Sequence, residues 1–154
     1  MRRPGRCSSA RSPFAKAFGP DHPRTAPSLN NLANLLQAQG DLAGARPLCE
    51  RARATYEKAL GPNHPDTATS LNNLAVLLRA EGDLAGARPL FERALATYEK
   101  AFGPDDPNTA PSLNNLAGLL QDQGDLTGAR PLYERTLAIR DARPLPSRYG
   151  HEPQ

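Results

Sequence analysis

The 154-residue sequence predicts an all-α solenoid of about three helix-turn-helix repeats, and three observations carry that prediction. The dipeptide Gly-Pro recurs at Gly19-Pro20, Gly61-Pro62 and Gly103-Pro104, a period of 42 residues with no insertion. Nearly the same string follows each of them: Leu71-Asn72-Asn73-Leu74-Ala75 and then Gly82-Asp83-Leu84-Ala85-Gly86-Ala87-Arg88-Pro89-Leu90, with one near-copy before it and one after it. Within the string, Leu71, Leu74, Ala75 and Leu78 stand at i, i+3, i+4 and i+7, a spacing that puts apolar side chains on one face of a helix. Units recurring at such a period bury their apolar faces only against their neighbours.

In chain order, residues 1–13 have no periodicity and read as a disordered basic tail. Phe14-Ala15-Lys16-Ala17-Phe18 matches Tyr56-Glu57-Lys58-Ala59-Leu60, so residues 14–18 read as a partial helix that opens an array over 14–139. Its repeats span 19–60, 61–102 and 103–139. The third drifts after Ile139, and residues 140–154 read as a second disordered tail.

The first helix of each repeat, A, is expected over about 67–80 in repeat two. Pro27 and Pro111 replace Thr69, and a proline is harmless only where its missing N–H would have no intrahelical partner. Thr25, Thr67 and Thr109 therefore stand near the first helical position, with Asp66 and Asn108 as expected N-caps. Gly82 ends the helix. The second helix, B, is expected over about 84–102, burying Ala87, Leu90, Phe91, Ala94, Leu95 and Tyr98. Gly103-Pro104 stops it, Gly as the left-handed residue and Pro because it cannot continue. Pro47, Pro89 and Pro131 lie inside this helix and are each expected to remove one hydrogen bond and bend its start.

Leu71, Leu74, Ala75, Leu78, Gly82, Ala87, Phe91 and Ala94 fall on the signature slots of the tetratricopeptide repeat (TPR), which the chain resembles from about Phe14 to Ile139. The 42-residue period, with Gly-Pro-Asn-His-Pro-Asp-Thr at 61–67, is similar to the kinesin-light-chain type of that repeat, also found in bacterial repeat arrays. The resemblance is what supports starting helix B before its proline. It also implies a right-handed superhelix with the A helices lining a concave groove.

Opposite the apolar face of helix A runs a stripe of Thr69, Asn73, Val76 and Ala80, matched by Pro27, Asn31, Asn34 and Ala38 and by Pro111, Asn115, Gly118 and Asp122. Its ladder of Asn31, Asn73 and Asn115 suits an extended peptide, because an amide offers two donors and an acceptor to unpaired backbone groups. In relatives of this type, groove asparagines at that slot contact peptide main chain. The alternative is that the ladder amides satisfy each other across neighbouring A helices. Asn30, Asn72 and Asn114, on the flank, read as structural. Asn34, Val76 and Arg79 complete the candidate peptide-binding set. The stripe carries no Lys or Arg, so neither a carboxylate clamp nor an acidic-cargo groove of the kind known in the family is expected. Arg46, Arg88 and Arg130 are expected to pair with Asp41, Asp83 and Asp125 or with carbonyls between repeats.

The formal charge of +3 does not describe the array. Residues 1–18 hold five basic side chains and no acidic one, 140–154 hold three and two, and the stretch between holds 11 basic against 14 acidic. The tails have almost no aromatics interleaved with their arginines, which argues against nucleic-acid binding. Neither Cys7 nor Cys49 supports a disulfide framework, and a reducing, cytoplasmic setting follows by default. Cys49 shares a core slot with Phe91 and Tyr133, and filling it with Phe is expected to help unless its neighbours have already closed in. No signal-peptide or membrane-spanning run occurs. His22 and His64 lie in equivalent loops, but the third copy has Asp106, so a loop role outweighs a metal site. There is no nucleophile–base pair and no phosphate loop.

These readings predict a non-enzymatic protein- or peptide-binding scaffold with no cofactor and no metal. The alternative is a detached piece of a larger signalling protein's array with no autonomous function. Because the apolar faces near Phe18 and Leu137 have no polar cap, self-association through the array ends is also expected.

Overall fold

The computed structural model describes residues 22–142, which form six helices. These are α1 (Ala26–Ala38), α2 (Leu42–Leu60), α3 (Pro65–Ala80), α4 (Leu84–Phe102), α5 (Ala110–Asp122) and α6 (Leu126–Ala142). Each repeat is one antiparallel pair, α1 with α2, α3 with α4 and α5 with α6, and the pairs stack in chain order. The tail at 1–13, the partial helix at 14–18 and the part of the second tail from 143 onward lie outside the described residues. Helix α6 runs to Ala142, past the boundary expected at Ile139.

The helix ends follow from a few repeated residues. After each A helix the chain turns through a left-handed glycine, Gly82 at φ 89° in repeat two, and the Asp83 N–H donates to the Leu78 carbonyl at 2.8 Å. That contact satisfies one of the carbonyls a helix leaves open at its C-terminus. Asp83 then caps α4, its Oδ1 accepting from the Gly86 N–H at 2.9 Å, and Asp41 and Asp125 do the same for Gly44 and Gly128. The cap holds the start of the helix in place despite the internal proline. Pro89 leaves the Ala85 carbonyl without a helical partner, and exposure of Ala85 lets water take that role.

The starts of the A helices differ from expectation. Helix α3 begins at Pro65, and His64 rather than Asp66 is its cap, with Nδ1 accepting from the Asp66 N–H at 3.0 Å. Helix α5 follows Thr109, not Asn108. Thr109 turns its hydroxyl away to donate to the Gly103 carbonyl at 2.8 Å, as Thr67 does to Gly61, so these buried threonines tie α5 to the end of α4 and α3 to the end of α2. His22 Nδ1 accepts from the Arg24 N–H at 3.1 Å, and Asp106 Oδ1 accepts from the Asn108 N–H at 2.8 Å. A histidine and an aspartate can exchange at this slot because the turn needs only an acceptor two residues before the N–H.

The core is continuous across repeats. It joins Leu74, Ala75 and Leu78 of α3 to Phe91 and Leu95 of α4 and to Leu113, Leu116 and Leu120 of α5. Leu77 and Leu119, outside the expected apolar face, are also fully buried. An interior A helix is wedged between its own B helix and the preceding one, so it buries a wider arc than one partner would require. The A helices touch each other directly, whereas the B helices meet only through long side chains, as in Arg93–Glu57 (3.0 Å) and Arg135–Glu99 (2.9 Å). The closer spacing makes the A layer the inner side of the stack.

Candidate peptide-binding face

The A layer carries all six candidate residues, and the structure treats them differently. Asn31 and Asn34 are exposed on α1, and Asn73 and Asn115 are partly exposed on α3 and α5. The side-chain amides of Asn31, Asn73 and Asn115 form no hydrogen bond with any described residue. The mutual amide bonding that was their alternative role is therefore not what holds neighbouring A helices together.

That role falls to the flank. Asn72 Nδ2 donates to the hydroxyl of buried Ser112 at 3.0 Å, joining α3 to α5. The corresponding pair one repeat earlier, Asn30 and Ser70, is also buried, yet Asn30 Oδ1 and Ser70 Oγ have no partner. Asn114, in the same slot of repeat three, is exposed.

Val76 is half-buried and packs against the core, so only part of it faces outward. Gly118, at its slot in repeat three, is buried. A Cβ there would lie 2.9 Å from Arg79 Nη1, which shows that the guanidinium lies over the glycine. Arg79 Nε in turn pairs with Asp122, a residue of the stripe itself. The Arg79 hydrogen bond holds the Asp122 carboxyl below the usual carboxylate range. The one cation assigned to the face is thus neutralised in place. The signal in the sequence for this pair is opposite charge at nearly one repeat's spacing.

At the start of α3, the Thr69 and Tyr98 hydroxyls meet at 2.5 Å, and burial pushes the Tyr98 phenol up. Pro27 and Pro111 replace Thr69 without strain because both stand in the first turn of their helices.

The arginine series does not pair with the expected aspartates, and of the expected contacts to carbonyls between repeats Arg88 makes one, to the side-chain amide of Gln123. Arg46 bonds Glu50 (3.1 Å) and Glu81 (3.0 Å), Arg88 bonds Glu92 (2.8 Å) and Gln123 (3.5 Å), and Arg130 bonds Glu134 (2.7 Å). Asp41, Asp83 and Asp125 are occupied as caps, and the arginines lie one turn further on, in reach of their own i+4 glutamates. Among the described residues no group of three or more His, Cys, Asp or Glu converges on a point that could hold a metal ion, and no helix is long and apolar enough to cross a membrane.

The sequence profile described as tetratricopeptide repeat matches residues 24–100 and 70–142. Among solved structures, the chain is similar to that titled Podosopora anserina putative kinesin light chain nearly identical TPR-like repeats. The two share 29% identity with a TM-score of 0.74 over 84% of this chain and 61% of that one. It is also similar to BtubC (BKLC) from P. vanneervenii, at 26% identity and TM-score 0.75 over 91% of this chain and 57% of that one. The TPR domain of Arabidopsis FLU, at 15% identity and TM-score 0.67 over 78% of this chain and 98% of that one, shares the fold. No curated protein matches. The chain spans about 60% of the length of the first two structures.

Proposed function

Since the chain belongs to the tetratricopeptide repeat family, with repeats of the kinesin-light-chain type, we propose that it is a non-enzymatic scaffold that binds an extended peptide along its A layer. Repeats of this family generally mediate protein–protein interactions. The observation that carries the finer reading is the ladder of Asn31, Asn73 and Asn115, whose amides are accessible and unengaged while the adjacent Asn72 is bound to Ser112. Unengaged amides at one per repeat match the spaced N–H and C=O groups of an extended chain. The paired Arg79 and Asp122 leave the centre of the face without net charge, which favours main-chain recognition over capture of a carboxylate. A cytoplasmic setting remains part of this reading.

The test is selection of peptides from a displayed random library on the intact chain, followed by calorimetry with the combined variant Asn31→Ala, Asn73→Ala, Asn115→Ala. Each hydrogen bond contributes about 0.5–1.5 kcal/mol and 1.4 kcal/mol is a factor of ten, so a loss of at least about tenfold is expected. Unchanged affinity in a folded variant would rule the ladder out as the site.

A second reading is favoured by large apolar residues exposed on the first and last of the described helices, Leu32 and Leu35 on α1 and Leu126 and Leu137 on α6. It is self-association through the ends of the stack.

A further inference from the structure

We propose that two copies of this chain join head to tail, with α6 of one seated against α1 of the next in the register that joins α4 to α5 inside the chain. The proposal rests on the self-association reading and specifies its geometry. Of the seven exposed large apolar side chains among the described residues, five lie on these two helices: Leu32 and Leu35 on α1, and Leu126, Tyr133 and Leu137 on α6. Their exposure reflects position in the stack and not residue type. Leu35 is 54% exposed, whereas Leu77 and Leu119, at the same slot of the next two repeats, are 0% exposed. Leu137 is 60% exposed, whereas Leu95 is 9% exposed. Inside the chain each of these surfaces covers the other. The two ends therefore carry opposite halves of an interface whose joined form is already present between α4 and α5.

The polar groups at the ends match the same template. Arg88 donates to Gln123 Oε1 across the internal junction. One repeat on, Arg130 of one copy would face Gln39 of the next, the same pair of residue types. Asn72 donates to Ser112 inside the chain. At the junction between copies, exposed Asn114 would face exposed Ser28, again the same pair. A contact that uses different surfaces on its two sides cannot close as a two-fold dimer, and in the register that continues the stack each added copy leaves a free end, so the product is an open, concentration-dependent series. The competing occupant of the α1 face is the chain's own segment 14–18, which matches the end of α2 in sequence.

Sedimentation velocity with one-ended variants of the full chain tests this. Wild type is expected to exceed its 16.6 kDa monomer mass continuously as concentration rises, with no plateau at twice that value. Leu32→Glu/Leu35→Glu blocks the α1 end and Tyr133→Glu/Leu137→Glu the α6 end; each alone should be monomeric, and their mixture should form a one-to-one dimer and stop. A blocked variant that still dimerises by itself, or a mixture that stays monomeric while wild type assembles, overturns the head-to-tail mode but leaves self-association standing. A wild type that is monomeric throughout overturns both. Should the glutamates unfold the chain, Ser28→Cys/Asn114→Cys in a Cys7→Ser background replaces them. Mild oxidation should then give a ladder of covalent multimers, absent in either single variant, and no ladder overturns the register.

Discussion

Asn72 Nδ2 donates to Ser112 Oγ at 3.0 Å across the junction of α3 and α5, while Asn73, the next residue, forms no side-chain hydrogen bond. Adjacent asparagines thus do different work. Asn72→Ala strands the buried Ser112 hydroxyl and is expected to cost about 1–3 kcal/mol. Replacing Asn31, Asn73 and Asn115 together by Ala should cost no more than about 0.5 kcal/mol per site. Urea unfolding measures both, and a triple variant that loses more than about 1.5 kcal/mol would contradict the assignment.

The Arg79–Asp122 pair gives a pH signature. The folded-state pKa of Asp122 is depressed, so its contribution to stability is present above the unfolded value of about 3.9 and fades as pH falls through the folded value. Arg79→Gln should therefore lower stability at neutral pH, modestly because the pair is solvent-exposed, and make no difference in strong acid. Carboxyl NMR should show Asp122 titrating below the ordinary range in wild type and returning towards it in the variant.

The capping pair predicts a change of sign. Ala is favoured over Gly by about 1 kcal/mol in a helix interior. A Cβ at Gly86, however, would lie 2.8 Å from Asp83 Cγ and push the cap away. Gly86→Ala should then destabilise the wild type, Asp83→Ala should cost about 1 kcal/mol, and Gly86→Ala added to Asp83→Ala should stabilise. Additive effects in this double-mutant cycle would mean that the cap and the glycine are independent.

Cys49 is fully enclosed even though its slot holds Phe in repeat two. Its 1% exposure leaves no solvent-open space beside the thiol for a ring, so Cys49→Phe is expected to overpack the site at about 1–3 kcal/mol. A rise in the urea midpoint would instead mean that the slot retained the space for a ring. Burial also pushes the Cys49 thiol up, so a thiol reagent should reach it only when the repeat opens.

Most of the fold could be read from the sequence, because repeat period, helix face and turn glycines are local signals. Leu71, Leu74, Ala75 and Leu78 announce one buried face whatever lies beyond them, and Gly103-Pro104 stops a helix by backbone sterics alone. The same local logic gave the span of α4 and the B-helix core. What the sequence could not settle was which partner each side chain takes from another element. Asp83 serves as a cap instead of pairing with Arg88, Arg79 reaches across to Asp122, and Asn72 bonds Ser112 while Asn73 does not. Leu35 is exposed where Leu77 is buried. Identical residues meet different ends because long-range neighbours, set by position in the stack, decide burial and pairing. In a repeat array that position is the one quantity a local sequence pattern does not carry.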